Sequence, residues 1–130
     1  MPNPDQCRFT QTHEWIQVQG PTGTVGVSDH AQHEITEVVF VELPKAGRKV
    51  KKGEACIVVE SVKAAFDIYA PVSGEIIQVN EVLSREVSLI NQSPYDKGWL
   101  FKIKLDHPGE PHTLMSYSQY QDFLKTAPTH

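Results

Sequence analysis

The stretch GEACIVVESVKAAFDIYAPVSG, running from Gly53 to Gly74, decides how the chain is read. Apolar, β-prone residues continue up to Val62 and resume at Ala65, so the simplest folding is a β-hairpin with Lys63 and Ala64 at its tip. Neither tip residue is Gly or Asn, which leaves the turn type open. Glycines bracket the lysine almost symmetrically, Gly53 ten residues before it and Gly74 eleven after it. A lysine at a hairpin tip holds its ammonium away from the body of the protein, where another protein can reach it. Alone, that placement means little, since a lysine in a turn is ordinarily just a solvated charge.

On either side, further short runs read as strands. They are Glu14 to Gln19, Thr24 to Val27, Val38 to Glu42, Glu75 to Asn80 and Trp99 to Leu105, and the hairpin adds Ala55 to Val62 and Ala65 to Ala70. Nine Pro and eight Gly lie scattered between these runs, the punctuation of a turn-dense β domain. Such a set of strands points to a sandwich or barrel. Ser28 can cap a short helix over residues 28–35, SDHAQHEI. Near the end, Ser116 is followed three residues later by Gln119 with capping-box spacing, and Tyr117, Tyr120, Phe123 and Leu124 share one helical face. A helix over about 116–125 should therefore dock on the sheet. HPGEPH, residues 107–112, is the one loop of linker composition and is too short to separate two domains. A single domain over 1–130 is expected, with its core at about 9–105.

Composition excludes several classes. Twelve Lys plus Arg against sixteen Asp plus Glu give a net charge of −4 with no basic block, a poor basis for a surface that tracks nucleic-acid phosphates. Apolar runs such as Val38 to Val41 and Cys56 to Val59 are far below the roughly 18 residues of a membrane-spanning helix, so no membrane is expected. The opening MPNPDQCRFT lacks the apolar core of a secretory signal and the Arg-rich pattern of a transit peptide. A bacterial cytoplasmic protein is expected, or a mitochondrial matrix protein in a processed eukaryotic form. Cys7 and Cys56 form no CxxC pair, and Cys56 inside ACIVV reads as an inert core thiol.

Competing chemical signals are weak. His30 and His33 share the short helix, but no Cys, Asp or Glu completes a metal set of known spacing, so both read as surface residues and no metal is expected. Ser28, Asp29 and His30 contain the residue types of a hydrolytic triad, yet sequence neighbours cannot supply its converging geometry. Trp15 and Trp99 read as packing residues. With no nucleophile–base pair in view, a catalyst is not expected.

The flanks of the lysine resemble those of lipoyl-bearing domains: glycine on each side, Glu60 and Val62 ahead, Ala64 after, and Ala70-Pro71 before the second glycine. Biotin carriers share the hairpin but usually flank their lysine with Met, so Val62 and Ala64 favour lipoate. HEW at 13–15, VGVSDHAQ at 25–32, VVFVELP at 38–44, ESVKA at 60–64, DIYAPVSGEI at 67–76 and GW at 98–99 are together similar to the H-protein family of the glycine cleavage system. Several independent motifs in order are far more specific than any one of them.

The resemblance implies a lipoyl-type flattened β-barrel of two antiparallel sheets with added helices. It implies that Lys63 carries lipoate on its ε-nitrogen, and that the chain is a non-catalytic, monomeric shuttle for the aminomethyl group of glycine. Its implied partners are a pyridoxal-phosphate glycine decarboxylase, an aminomethyltransferase, a flavin dihydrolipoyl dehydrogenase and a lipoate-attaching enzyme. Glu14 and Asp67, with the Thr12 hydroxyl, match the positions expected to line a cleft holding the cationic end of the loaded arm. Acidic residues at a strand start and beside a hairpin are equally ordinary solvated charges. Glu60, Val62 and Ala64 are expected to mark the lysine for the attaching enzyme or a partner. Two other readings stand beside this one: an H-like relay of lipoyl or octanoyl groups, and an unmodified interaction domain that kept the fold.

The sequence departs from the family pattern in places. Phe66 stands where a small hydroxyl residue is usual, and Thr36-Glu37 where Gly followed by an acid is common. Lys97 precedes Gly98 where Gly or an acid is frequent, and SREVSLINQSPY lacks an expected Pro. Acylating Lys63 would leave eleven cations against sixteen acids, moving the net charge from −4 to −5.

Overall fold

The computed structural model describes residues 3–126. Among them, alternating runs form strands β1 (Arg8–Phe9), β2 (Glu14–Gln19), β3 (Thr22–Val27), β4 (Val38–Glu42), β5 (Lys49–Val50), β6 (Ala55–Ser61), β7 (Ala65–Tyr69), β8 (Gly74–Val79) and β9 (Phe101–Leu105). The helices are α1 (Asp29–Ile35), α2 (Leu89–Gln92) and α3 (Tyr117–Thr126). All strand pairs are antiparallel, in one sheet of order β1-β2-β3-β9-β8-β5 and a second of order β4-β6-β7. Each of the seven expected strands is present within a residue or two. The two-residue strands β1 and β5 and the four-residue α2 are additions, too short to leave a periodic signal.

The inward positions of both sheets meet in one apolar core. Ile16, Val25 and Val27 come from the larger sheet, Val41, Ile57, Val59 and Ile68 from the smaller, and Ile76 and Ile103 close it from β8 and β9. The result is the expected flattened two-layer β architecture, with the sheets packed as a sandwich and not joined into one continuous barrel. The glycines bracketing the hairpin have separate physical reasons. Gly53 adopts φ +85°, a left-handed turn conformation. Gly74 lies so close to β9 that a Cβ there would sit 2.1 Å from the Lys104 carbonyl oxygen.

Ser28 caps α1 as its sequence indicates, its Oγ accepting from the Ala31 N–H at 3.1 Å. At α3 the capping box is reciprocal: the Gln119 N–H donates to Ser116 Oγ at 3.2 Å, and the Ser116 N–H donates to Gln119 Oε1 at 2.8 Å. The apolar face of α3 covers a second cluster of Cys7, Phe9, Trp15 and Tyr120 at one end of the larger sheet. The Phe9 and Tyr120 rings stack with centroids 4.5 Å apart, a pairing worth about 1 kcal/mol beyond burial. Trp15 is wholly buried, its indole N–H donating to the carbonyls of Val27 and Pro94, both at 3.0 Å. Cys7 and Cys56 are buried free thiols in different clusters, and burial pushes both up to about 12.

Candidate functional site

The β6–β7 hairpin places the lysine. Glu60 pairs with Ala65 and Val59 with Phe66. The closing pair is Ser61 and Ala64, joined by the Ser61 N–H donating to the Ala64 carbonyl at 2.8 Å. The tip residues are therefore Val62 and Lys63, one position earlier than the Lys63-Ala64 tip expected from sequence. The reason is the Ser61 hydroxyl. It accepts from the N–H groups of Lys63 and Ala64, both at 3.1 Å, and lies 3.2 Å from the Ala64 carbonyl as a donor. A serine side chain thus closes a turn that a glycine would otherwise have allowed.

Val62 and Lys63 are exposed, Val62 at 66%. The Val62 N–H donates to the Glu37 carbonyl at 3.0 Å, tying the tip to the segment entering β4. The lysine Nζ lies 3.5 Å from the Glu34 carbonyl oxygen at the end of α1, its one hydrogen bond among the described residues. Glu60 and Ala64 are exposed beside it. A register shift in β4 between Val38 and Phe40 turns Val39 and Phe40 half out to solvent next to β6, an apolar shoulder that the continuous run VVFV does not disclose. Phe66 faces the other way, half-buried against the main core, so its large ring does not alter the surface around the lysine.

A groove of about 340 Å³ opens at the far end of β7, with Thr12, Glu14, Lys52, Tyr69 and Met115 among its walls. Glu14 is only 1% exposed. Its Oε1 accepts from the hydroxyls of Thr10 at 2.6 Å and Thr12 at 2.5 Å, and its Oε2 accepts from the Tyr69 N–H at 3.2 Å. Burial pushes the Glu14 carboxyl above its ordinary range, against the downward pull of those donors. The carboxylate thus closes the free edge of β7 at Tyr69. Lys52, a groove cation that sequence reading did not single out, donates from Nζ to Thr113 Oγ1 at 2.9 Å.

The structure brings Glu14 and Thr12 together and leaves Asp67 apart. Asp67 is exposed on β7 opposite Val58, two residues nearer the tip than Tyr69, and outside the groove lining. From Lys63 to Tyr69 the chain advances six residues, roughly 20 Å of extended strand. Along that path lie Ala65, Asp67 and Tyr69, so Asp67 stands between the lysine and the buried Glu14. The Ser28 hydroxyl is buried and engaged by Tyr120 Oη at 2.7 Å as well as by the α1 cap, which leaves it no nucleophilic role.

A sequence model of the family described as Glycine cleavage H-protein matches residues 7–127. The chain is 48% identical over 116 residues to the glycine cleavage system H protein of Thermotoga maritima, covering 89% of this chain and 94% of that one. It is 52% identical over 119 residues to the corresponding protein of Beijerinckia indica subsp. indica, covering 92% and 96%. A crystal structure of a glycine cleavage system H protein from Mycobacterium marinum superimposes with a TM-score of 0.86 at 33% identity, covering 95% of this chain and 99% of that one.

Proposed function

The chain belongs to the glycine cleavage H-protein family, and from that premise we propose that Lys63 is its acylated residue, bearing lipoate through an amide to Nζ. The exposed Lys63 on a tip braced by Ser61 carries this reading: the ammonium is accessible while the backbone beneath it is fixed. Acylation requires the neutral amine, which an attaching enzyme obtains by enclosing the tip and stripping its water. Lys63 would give up only its single long contact to the Glu34 carbonyl. Once attached, the dithiolane supplies a disulfide that can accept electrons and a carbon fragment in one exchange.

This chain's own residues then receive the loaded end. Glu14 would hold a cationic amine by a charge-assisted hydrogen bond, with Thr10 and Thr12 fixing the carboxylate's orientation. Burial keeps water from that carboxylate, and an arriving cation would draw it back toward the ionised form. Asp67, on the way from the tip, offers a second and more solvated acid. Glu60, Val62 and Ala64 form the face that the attaching enzyme meets.

In this role the chain is a non-catalytic monomeric carrier in the cytoplasm. It visits a pyridoxal-phosphate glycine decarboxylase, an aminomethyltransferase and a dihydrolipoyl dehydrogenase. Intact-mass measurement of protein from lipoate-replete cells tests the assignment. A lipoyl adduct on the wild type that is absent from Lys63→Ala is expected, and an unmodified wild type would refute it. Reconstitution with the decarboxylase should then give lipoate-dependent exchange of CO2 with the glycine carboxyl.

A further inference from the structure

On the side of α1 away from the main core, three potential ligands converge that share no sequence motif. We propose that His13, His30 and Glu34 form a divalent transition-metal site that takes zinc, joining α1 to the turn that carries Thr12 and leads into Glu14. One ring nitrogen from each histidine and one Glu34 carboxylate oxygen all lie within 4.8 Å of one another. Zinc with ligand bonds of 2.0–2.2 Å needs donors about 3.4 Å apart, a closure within reach of side-chain torsions alone. His30 and Glu34 are one helical turn apart and already in contact through Nε2 and Oε1. The His13 and His30 rings lie face to face at a tilt, with centroids 4.6 Å apart.

The support around His13 is of the kind that metal-binding histidines use. Its Nδ1 lies 2.8 Å from Tyr120 Oη, which is in turn 2.7 Å from Ser28 Oγ, an outer partner of the kind that orients a ligating imidazole. Its backbone stands at φ +77°, a left-handed conformation uncommon for a residue with a side chain. That conformation is fixed from both sides: the His13 N–H donates to the Thr10 carbonyl at 3.2 Å, and the Ser28 N–H donates to the His13 carbonyl at 2.9 Å. Two nitrogens and one carboxylate oxygen suit zinc better than calcium or magnesium, which prefer all-oxygen sites. On binding, the ion would replace the contact between His30 Nε2 and Glu34 Oε1, and water would fill the open fourth position.

The test is calorimetric titration of zinc into the full chain, tag-free, chelator-stripped and unacylated, so that no arm dithiol competes for the metal. One equivalent per chain is expected for the wild type. His30→Gln and Glu34→Gln, both on the exposed face of α1, should lose saturable binding while keeping the wild-type thermal transition in chelator. Tyr120→Phe should bind about tenfold more weakly. His33→Gln, whose ring lies 3.5 Å from Asp29 and not in the cluster, should bind like wild type. No saturable binding by the wild type, unchanged affinity in His30→Gln or Glu34→Gln, or equal loss in His33→Gln would each overturn the proposal.

Discussion

The two ends of β7 are built on opposite principles. At the tip, Val62 and Lys63 expose their side chains while the Ser61 hydroxyl holds their backbone. At the groove, the Glu14 side chain is itself enclosed and accepts three hydrogen bonds. One end presents its side chains and the other encloses one. The difference has an energetic consequence: side chains at the tip can be changed or acylated at little cost to the fold, whereas Glu14 cannot be altered without disturbing stability.

Removing the buried acid should give the largest effect on stability. Glu14→Ala leaves the Tyr69 N–H without its acceptor and strips the shared partner from the Thr10 and Thr12 hydroxyls. A loss of about 2 kcal/mol is expected from urea denaturation at neutral pH. Because the folded state holds the Glu14 proton to higher pH than the unfolded chain does, it binds more protons in that window. Wild-type stability should therefore fall as pH rises from the ordinary carboxyl range into the raised one. Glu14→Ala should lack that slope, and a mutant with an unchanged slope would assign it to other groups.

Ser61→Ala sharpens the other end. The tip N–H groups are exposed and can turn to water, so the fold should lose only about 1 kcal/mol. Faster amide exchange at Lys63 and Ala64 is expected, together with slower acylation of Lys63, since the attaching enzyme would meet a looser turn. Wild-type exchange at both amides would mean that the hydroxyl does not brace the tip.

How much of this could be read in the sequence follows from the range of the interactions. The hairpin, the Ser28 cap and the Ser116–Gln119 box are local, and each is legible within a few residues. The identity of the tip pair was missed by one position because it depends on which way a single hydroxyl turns. At the start of a strand, Glu14 reads as either a cleft acid or a solvated charge; its enclosure involves Tyr69, 55 residues away. The Tyr120 contact with His13 spans 107 residues and leaves no trace in any window of sequence. Asp67 and Glu14 looked equivalent as acids, and only packing separates the exposed one from the enclosed one.

Thr36 carries a predicted effect of the opposite sign, and it concerns what stands behind the tip. The tip avoids glycine through Ser61, but the joint from α1 into β4 places Thr36 at φ 69° and ψ −155°, a region nearly reserved for glycine. A β-branched residue there stores about 1–3 kcal/mol. The neighbours hold it in place: the Thr36 N–H donates to the Gln32 carbonyl at 3.0 Å, and Asn91 Nδ2 donates to the Thr36 carbonyl at 2.7 Å. Both contacts are backbone contacts that glycine would keep, and the threonine side chain is exposed. Glycine also gives the unfolded chain more freedom, worth about 0.5–1 kcal/mol in the opposite direction. Thr36→Gly should therefore stabilise the fold by about 1 kcal/mol, read as a higher urea midpoint at unchanged slope. The next residue, Glu37, accepts the Val62 N–H, so a relaxed joint should leave acylation of Lys63 unchanged. If acylation falls as stability rises, the strain at Thr36 is part of how the tip is held, and the two ends of β7 are less independent than their hydrogen bonds imply.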